Sequence, residues 1–319
     1  MNVIVTGSIA FDYLMSFNGR FSEHFLPDKL DSISVSFLVD SLKKRRGGCA
    51  ANLALLGEKP LLVGAVGKDF TEYGEALKKI GVDISGLLER PDEYTASFFA
   101  NSDSNGNQIA SFYTGAMKHA KNISVKRLWD QNTVMAIVAP DDPDAMRNHV
   151  LGLREIDASY IYDPGQQIVL LSGEDLKDGT QGAKMLILND YELEMFKNKT
   201  GLKKDEDILE WVPTIIVTLG EKGSKIITGT EKYHIPIASP REVLDPTGVG
   251  DAYRAGLIKG MVHGLSWETA GRMGSLAAAY VLETDGPQNH TYTIQTFVQR
   301  YRQLFGESDE IGRLLITQT

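Results

Sequence analysis

The sequence has only one cysteine, Cys49, among its 319 residues. A single thiol cannot form a disulfide within the chain, and this favours a reducing compartment such as the cytoplasm. No apolar run approaches the roughly 18 residues of a membrane-spanning helix, and the apolar run at the start is too short for a signal peptide. We therefore expect a cytoplasmic protein with no membrane partner.

An excess of basic residues is absent too. The formal net charge is −9 at pH 7, whereas a protein that binds nucleic acid normally presents a basic face. The six histidines include no pair at metal-ligand spacing, and one cysteine cannot build a zinc site. We therefore expect no nucleic-acid partner and no zinc.

The established phosphate-binding motifs are missing as well. The segment "GAVGKD" at 64–69 has neither the spacing nor the hydroxyl residue of a P-loop. No glycine-rich loop is followed by a protein-kinase signature, and "GVGDAY" at 248–253 lacks the last glycine of the dinucleotide-binding fingerprint. A phosphate site in this chain has to use other residues.

Short apolar segments alternate with helical patterns along most of the chain. Six of these segments end at or before Gly, Pro, Asn or Asp: "NVIVTG", "LLVGAVG", "VMAIVA", "SYIYDPG", "MLILND" and "TIIVTLG". Near-continuous apolar strands between helices predict an α/β fold with a parallel sheet covered on both faces. Ligands of such sheets bind beyond the carboxyl ends of the strands, so the residues after each apolar run are the first candidates for a site.

Two segments depart from this alternation. Residues 32–41, "SISVSFLVDS", alternate with a period of two, which predicts a strand with one buried face. Residues 95–115 contain two strand patterns around Asn105-Gly106, a hairpin signal. We expect a small antiparallel sheet over the main domain, where it acts as a lid that excludes water or as a stabilising extension or dimer contact.

The segment "DPTGVGD" at 245–251 precedes a helical pattern. Glycines let the backbone approach a ligand closely, and the first amides of a helix can hold an anion. Asp251 would stand in the first turn beside that anion, where a carboxylate can act as a base toward a hydroxyl. Helix capping explains the same residues equally well, so both interpretations stay open on this loop alone.

Two further clusters contain polar residues at loop-to-element junctions. Gly47 and Gly48 precede a helical pattern that contains Asn52, and Asp12 follows the first apolar strand. Exposed backbone, an amide and a carboxylate can bind a vicinal diol, but a plain junction and a turn explain them too. The basic run 43–46 is more typical of a solvated face than of a phosphate clamp.

Together these motifs resemble the ribokinase-like (PfkB) family of carbohydrate and nucleoside kinases. "GGCAAN" at 47–52 and "DPTGVGDAYRAG" at 245–256 resemble its two signatures, and "GAVGKDFTEYG" at 64–74 fits its usual pattern. "NDYE" at 189–192 and "VTLGEKG" at 217–223 resemble its magnesium-phosphate motif and its nucleotide-binding turn. With "DPGQQ" at 163–167 and "ASFYTGAM" at 110–117, the chain is most similar to bacterial adenosine kinases of the mycobacterial type.

The resemblance implies a ribokinase-like three-layer α/β/α fold with a mainly parallel central sheet and a small antiparallel β lid. We assign residues 1–11, 47–91 and 117–319 to the large domain, and 12–46 and 92–116 to the lid. Strand edges in the lid would allow a homodimer through it.

The resemblance also implies site roles. Asp251 is the expected base, with Gly248, Val249 and Gly250 as the anion hole. Expected substrate contacts are Ser8, Asp12, Gly47, Gly48, Asn52, Phe98, Phe112, Gln166 and Gln167. Expected contacts to ATP are Asn189, Glu192, Thr218, Gly220 and Gly223, with Glu192 holding Mg²⁺ through water. A monovalent cation such as K⁺ is expected near Asp245 and Thr247.

Structural roles compete for several of these residues. Phe98 and Phe112 would suit core packing, the two glutamines could cap a turn, and Glu192 could be an ordinary surface residue. Arg254 is more simply an exposed helical arginine than a phosphate ligand. The segment after "DPGQQ" is Ile-Val-Leu, where close relatives carry a basic residue, so base preference stays open.

The expected function is ATP-dependent phosphorylation of the 5′-hydroxyl of adenosine or a related purine nucleoside, yielding AMP and ADP. Lid aromatics and "DPGQQ" favour a nucleoside. A ribose or fructose kinase with the same loop is the first alternative, and a nucleoside-binding protein without catalysis is the second.

Overall fold

The computed structural model describes residues 2–25 and 36–316. Its strands are β1 (Asn2–Thr6), β2 (Ala10–Ser16), β3 (Ser41–Arg46), β4 (Lys59–Gly67), β5 (Asp83–Arg90), β6 (Ala96–Ser102), β7 (Gln108–Tyr113), β8 (Thr133–Val138), β9 (Tyr160–Tyr162), β10 (Met185–Asn189), β11 (Thr214–Thr218), β12 (Ser224–Thr228) and β13 (Lys232–Ile235). Its helices are α1 (Cys49–Leu55), α2 (Thr71–Lys79), α3 (Val125–Leu128), α4 (Pro143–Glu155), α5 (Gly173–Thr180), α6 (Asp190–Thr200), α7 (Val249–Val262), α8 (Trp267–Leu282), α9 (Ile294–Phe305) and α10 (Asp309–Ile316). None of these helices is long and apolar enough to cross a bilayer.

The large sheet has the order β13-β12-β11-β10-β9-β8-β1-β4-β5. All pairs from β11 to β5 are parallel, and only the pairs β11–β12 and β12–β13, at one edge, are antiparallel. The six apolar segments singled out in the sequence all form parallel strands of this sheet. Their lack of strict alternation is explained by burial on both faces.

Helices cover both faces of the large sheet. On one face Val3 and Val5 of β1 pack in a core shared with α1, α2 and α7 to α10. On the other face Ile4 packs in a second core with residues of α3 to α6. The two cores make three layers, which confirms the expected ribokinase-like fold class.

The small sheet has the order β3-β2-β6-β7. The pairs β2–β3 and β6–β7 are antiparallel, as expected for the lid, but the central pair β2–β6 is parallel. The parallel pair arises because β2 and β6 both continue from the carboxyl ends of parallel strands of the large sheet. β2 follows β1, β6 follows β5, and β2 begins at Ala10, slightly before the assigned boundary at residue 12.

The strand expected at 32–41 is wrong in its described part. Ile33 and Val35 lie outside the described residues, while Phe37 and Val39 are in no strand. The Phe37 ring instead packs 4.9 Å from Phe17 and 5.0 Å from Phe21. The edge strand is β3, which carries the basic run, so alternation around Phe37 reflected aromatic packing in a loop.

Candidate active site

A cavity of about 230 Å³ opens at the carboxyl ends of β1, β8 and β9, beneath the small sheet. This position agrees with the expectation for a parallel sheet. Six of the predicted site residues line it: Ser8, Asp12, Gly47, Gly48, Gln166 and Asp251. Four further lining residues are important below: Cys49, Tyr73, Asp163 and Arg254.

The loop before α7 places Asp251 at the cavity. Gly248 precedes the helix in a left-handed conformation, with φ of 82°, and an added Cβ would lie 2.4 Å from Cβ of Pro287. Only glycine satisfies both conditions. Because α7 begins at Val249, Asp251 stands in its first turn, where the helix N-terminus favours an anion. One of its first amides, the Val249 N–H, also donates to the Pro246 carbonyl at 3.4 Å. The predicted anion-hole residues Gly248, Val249 and Gly250 thus stand at a real helix N-terminus.

The Asp251 carboxylate is partly enclosed by protein. Burial raises its pKa above the ordinary aspartate range, while the Arg254 guanidinium and a hydrogen bond from the Gly48 backbone N–H oppose that rise. A Cβ at position 47 would lie 3.5 Å from Oδ2 of Asp251, an ordinary contact distance, so Gly47 adjoins the carboxylate. A partly exposed carboxylate with a raised pKa suits a general base.

Arg254 is not an exposed helical arginine, contrary to the simpler expectation. Its Nη2 donates to Oδ1 of Asp163 at 3.0 Å, its Nε pairs with the other carboxylate oxygen, and Nη1 lies 3.9 Å from Oδ1 of Asp251. Asp163 is 1% exposed, and burial raises its pKa to about 6 although Arg254 lowers it. The signal in the sequence was the aspartate directly after β9, in the segment "DPGQQ".

Asp12 lies on β2 of the small sheet and lines the cavity. Burial, and then the charge of Asp251, raise the pKa of Asp12 to about 6. The two carboxylates therefore face one shared space from the lid and from the large domain. Ser8, at the end of β1, lines the same space and is fixed by its backbone N–H, which donates to the Pro140 carbonyl at 2.7 Å.

The Gly47–Gly48 turn is held by a network that the sequence did not indicate. Tyr73 Oη donates to the Gly47 carbonyl at 2.9 Å, and Gln288 Nε2 donates to the same carbonyl at 3.1 Å and to Tyr73 Oη at 2.8 Å. Tyr73 lies in the segment "GAVGKDFTEYG" that fits the family pattern, whereas Gln288 stands in none of the motifs singled out in the sequence. Tertiary contact brings both residues to the turn.

Asn52 lies behind the same turn instead of in the cavity lining. Its Nδ2 donates to the Gly48 carbonyl at 3.2 Å. Its Oδ1 is buried and has no hydrogen-bond partner among the described residues. A buried amide oxygen without a partner is uncommon, and Asn52 acts on the cavity through the Gly48 carbonyl that it holds.

The lid aromatics form one row with Asp12. Asp12 pairs with Phe98 across β2–β6, and Phe98 pairs with Phe112 across β6–β7. Directly paired residues share a face of a sheet, so both rings lie on the face that presents Asp12 to the cavity. Phe112 is 46% exposed and both rings lie beyond the cavity lining, so core packing does not account for them. Of the two glutamines, Gln166 lines the cavity, whereas Gln167 is buried away from it.

The predicted nucleotide residues follow β10 and β11, next to the cavity. Asn189 and Glu192 form a capping box, with Oδ1 of Asn189 accepting from the Glu192 N–H at 2.7 Å and Oε2 of Glu192 accepting from the Asn189 N–H at 2.8 Å. Thr218 pairs with Asn189 across the two strands. Gly220 and Gly223 turn the chain into β12, and a Cβ at Gly223 would lie 2.0 Å from the Ile235 carbonyl oxygen.

Glu192 is half-buried and near the Arg254–Asp163 pair, since its charge raises the pKa of both members. Mg²⁺ needs few protein ligands, because it keeps waters and binds substrate phosphates. One carboxylate beside the anion hole fits that requirement. The described residues contain no cluster of three acidic, histidine or cysteine side chains that would hold a metal by itself.

Asp245 and Thr247 do not fit a monovalent cation in the same way. Oδ1 of Asp245 accepts from the Thr247 N–H at 2.9 Å, and Oδ2 lies 3.4 Å from Nη2 of Arg45. Oδ1 thus accepts a hydrogen bond, Oδ2 is in an ion pair with a guanidinium, and the nearest cation belongs to the protein.

Comparison with known proteins agrees with this geometry. The sequence pattern described as pfkB family carbohydrate kinase matches residues 19–294. The chain is 32% identical to the nucleoside kinase of Methanocaldococcus jannaschii over 309 residues, covering 93% of this chain and 96% of that protein. It is 28% identical to the cytidine kinase of Thermococcus kodakarensis, covering 75% of this chain and 87% of that protein.

Solved structures give the same relationship. The nucleoside kinase of Burkholderia thailandensis in complex with inosine superimposes with a TM-score of 0.85 at 34% identity, covering 96% of this chain and 98% of that one. The same enzyme in complex with ADP and inosine gives a TM-score of 0.83 at 35% identity, with 96% of each chain covered.

Proposed function

Because the chain belongs to the pfkB family of carbohydrate kinases, we propose that it transfers the γ-phosphoryl group of ATP to the 5′-hydroxyl of a ribonucleoside. The products are a nucleoside 5′-monophosphate and ADP. Relatives named nucleoside kinase match nearly the whole chain. The observation that carries the proposal is the carboxylate of Asp251 in the first turn of α7, beside a cavity that a second carboxylate, Asp12, enters from the lid.

Asp251 is the proposed base. Its carboxylate accepts the proton of the 5′-hydroxyl as the oxygen bonds to the γ-phosphorus and the bond to the ADP oxygen breaks. The first amides of α7, at Gly248, Val249 and Gly250, face the charge on the transferring group. Arg254, held by Asp163, lies 3.9 Å from Asp251 and adds a positive charge at the same place.

Substrate positioning falls to the other residues around the cavity. Asp12 is suited to accept hydrogen bonds from the ribose 2′- and 3′-hydroxyls, and Ser8, Gly47 and Gly48 line the same space. Asn52 supports that space from behind by holding the Gly48 carbonyl. Gln166 lies within reach of the nucleoside. Gln167 is buried and supports the turn at 165–169 that positions Gln166. When the lid closes, Phe98 and Phe112 bring two rings to the nucleobase of the substrate, where stacking buries apolar area.

ATP is proposed to lie over the carboxyl ends of β10 and β11, on Asn189, Thr218, Gly220 and Gly223. Glu192 would hold Mg²⁺ through water. When bound, Mg²⁺ neutralises charge on the phosphate oxygens of ATP. The groups from this chain that approach the same phosphates are the α7 amides and Arg254.

Adenosine is our first candidate substrate, on the strength of the two lid rings and "DPGQQ". The inosine complex of the Burkholderia enzyme and the cytidine kinase from Thermococcus make inosine and cytidine the competitors to test. If the lid does not close on a nucleobase, the alternative is a kinase for a free sugar such as ribose or fructose. A silent nucleoside-binding protein is disfavoured by the intact base, glycines and Arg254.

Two broader assignments accompany this proposal. We propose a cytoplasmic enzyme of purine salvage, in keeping with the lone buried Cys49. A homodimer through the lid would cover exposed side chains on β7, among them Ile109 and Tyr113, and the unpaired edge of that strand.

The test measures ATP-dependent ADP release with Mg²⁺ across adenosine, inosine, guanosine, cytidine, ribose and fructose. The proposal expects nucleosides to be turned over and Asp251→Asn to lower kcat by about 10²–10⁴ while nucleoside binding persists. Turnover with free sugars alone would reject the nucleoside assignment. Tight adenosine binding without any turnover would establish the silent binding protein, and an active Asp251→Asn variant would reject the base.

A further inference from the structure

Arg45 is a nearly buried cation of the lid that lies beside the loop at residues 245–251, here called the catalytic loop. It lies on β3, directly opposite Asp12 on β2. Its side chain is 10% exposed, although it belongs to a basic run on an edge strand. Lys43, two residues earlier on the same face, is 51% exposed. Burial of one cation in this run indicates a specific partner, because a charge leaves water only when it is compensated.

The partners of Arg45 are two carboxylates of the large domain. Nη2 lies 3.4 Å from Oδ2 of Asp245, which is itself 12% exposed, and forms an ion pair with Oδ1 of Asp285. A Cβ at Gly286 would lie 3.2 Å from Nη1 of Arg45, and Gly286 has φ of 103°. The loop that contains Gly286 therefore leaves room for the guanidinium.

Asp245 opens the catalytic loop and shapes it. Its Oδ1 accepts from the Thr247 N–H at 2.9 Å, one residue before the left-handed Gly248 that precedes α7. Burial opposes ionisation of Asp245, but the hydrogen bonds from Thr247 and the charge of Arg45 hold its pKa below the ordinary value. The ionised carboxylate that orders this turn thus has its countercharge on the lid.

We propose that the Arg45 guanidinium supplies from within the chain the positive charge that orders the 245–251 loop, so that turnover needs no monovalent cation. Arg45 is a positioning residue that acts through Asp245. A metal cation at Asp245 would have to displace the guanidinium or be repelled by it. Because Arg45 is on the lid, the charge also couples lid position to the shape of the anion hole. This inference rests on the proposed phosphoryl transfer, whichever nucleoside is accepted.

The first test needs only the unmodified protein. Its turnover with ATP, Mg²⁺ and nucleoside is measured in tetramethylammonium chloride and again with about 100 mM KCl at the same ionic strength. We expect the two rates to agree within about twofold, since K⁺ finds no vacant charge to neutralise. A severalfold rise with K⁺ would overturn the proposal.

The second test compares Arg45→Met with Lys43→Ala. Arg45→Met keeps the apolar stem and removes the charge at Asp245, whereas Lys43→Ala removes only the exposed partner of Asp285. In tetramethylammonium chloride we expect Arg45→Met to lose at least about tenfold in kcat and to regain most of it in KCl, while Lys43→Ala follows the parent. Loss of activity in Arg45→Met that KCl does not restore contradicts a role in charge.

Thermal unfolding gives a readout that is independent of catalysis. A cation that binds the folded state raises Tm, so K⁺ should raise the Tm of Arg45→Met and leave the parent and Lys43→Ala unchanged relative to tetramethylammonium. A K⁺-induced rise in the parent would contradict the proposal. If no variant phosphorylates any nucleoside, the proposed function fails, while the unfolding data still decide whether Arg45 occupies the cation position.

Discussion

The Arg254–Asp163 pair is the feature of the site whose energetic role is easiest to measure. Arg254→Met keeps most of the side-chain volume and leaves Asp163, at 1% exposure, without its cation. Removal of one partner from a buried ion pair costs about 3–5 kcal/mol. Because one side of Arg254 faces the cavity, we expect the lower end of that range.

The size of the chain sets how far this loss of stability lowers the melting temperature, Tm. For 319 residues the unfolding entropy is about 0.7 kcal/mol/K, so a loss of about 3 kcal/mol lowers Tm by roughly 4 °C. The shift should be larger at pH 8 than at pH 5. Burial already raises the pKa of Asp163 to about 6, and below its pKa the carboxyl is neutral and needs no partner.

Circular dichroism melts at the two pH values measure the effect. Arg254→Met/Asp163→Asn removes both charges and should recover much of the loss, whereas Arg147→Met, at a pair whose arginine is 43% exposed, should change Tm little. A melting point for Arg254→Met within about 1 °C of the parent, or a double variant no more stable than the single one, would refute the argument. Arg254→Met should also lower kcat, because the guanidinium lies beside Asp251.

Three further results are expected. In the pH profile of kcat/KM, the acid limb should lie above the ordinary aspartate pKa of about 3.9. Burial raises the pKa of Asp251, and this carboxylate accepts a proton only when it is ionised. An acid limb at or below that value would contradict burial as the cause. Gly248→Ala should lower both Tm and kcat, because its Cβ would meet Pro287 at 2.4 Å and its φ is 82°; unchanged melting and turnover would exclude that strain. Phe98→Ala should raise KM for nucleosides about 5- to 160-fold, from a lost stacking contact of ~1–3 kcal/mol, and leave KM for ATP unchanged; an equal rise for ATP would place the ring elsewhere.

Local pattern was sufficient for the framework. The six apolar segments predicted parallel strands because burial on both faces requires near-continuous apolar residues, and Asn105-Gly106 predicted the β6–β7 hairpin. Local pattern failed at residues 36–39, where Phe37 packs with other aromatic rings instead of entering a strand. Period-two alternation over a few residues does not reveal which surface an apolar side chain meets.

What the sequence determined by itself was chemistry that lies within one turn of chain: the left-handed Gly248, Asp251 in the first turn of α7, the Gly47–Gly48 junction and the capping box at Asn189. The tertiary structure decided which charged side chains are shielded from water and which countercharge each of them meets. Arg45 and Arg254 look like solvent-exposed arginines in the sequence, and their partners, the nearly buried Asp245 and the buried Asp163, are 200 and 91 positions away. Burial and countercharge depend on distances through space, and sequence spacing does not encode them.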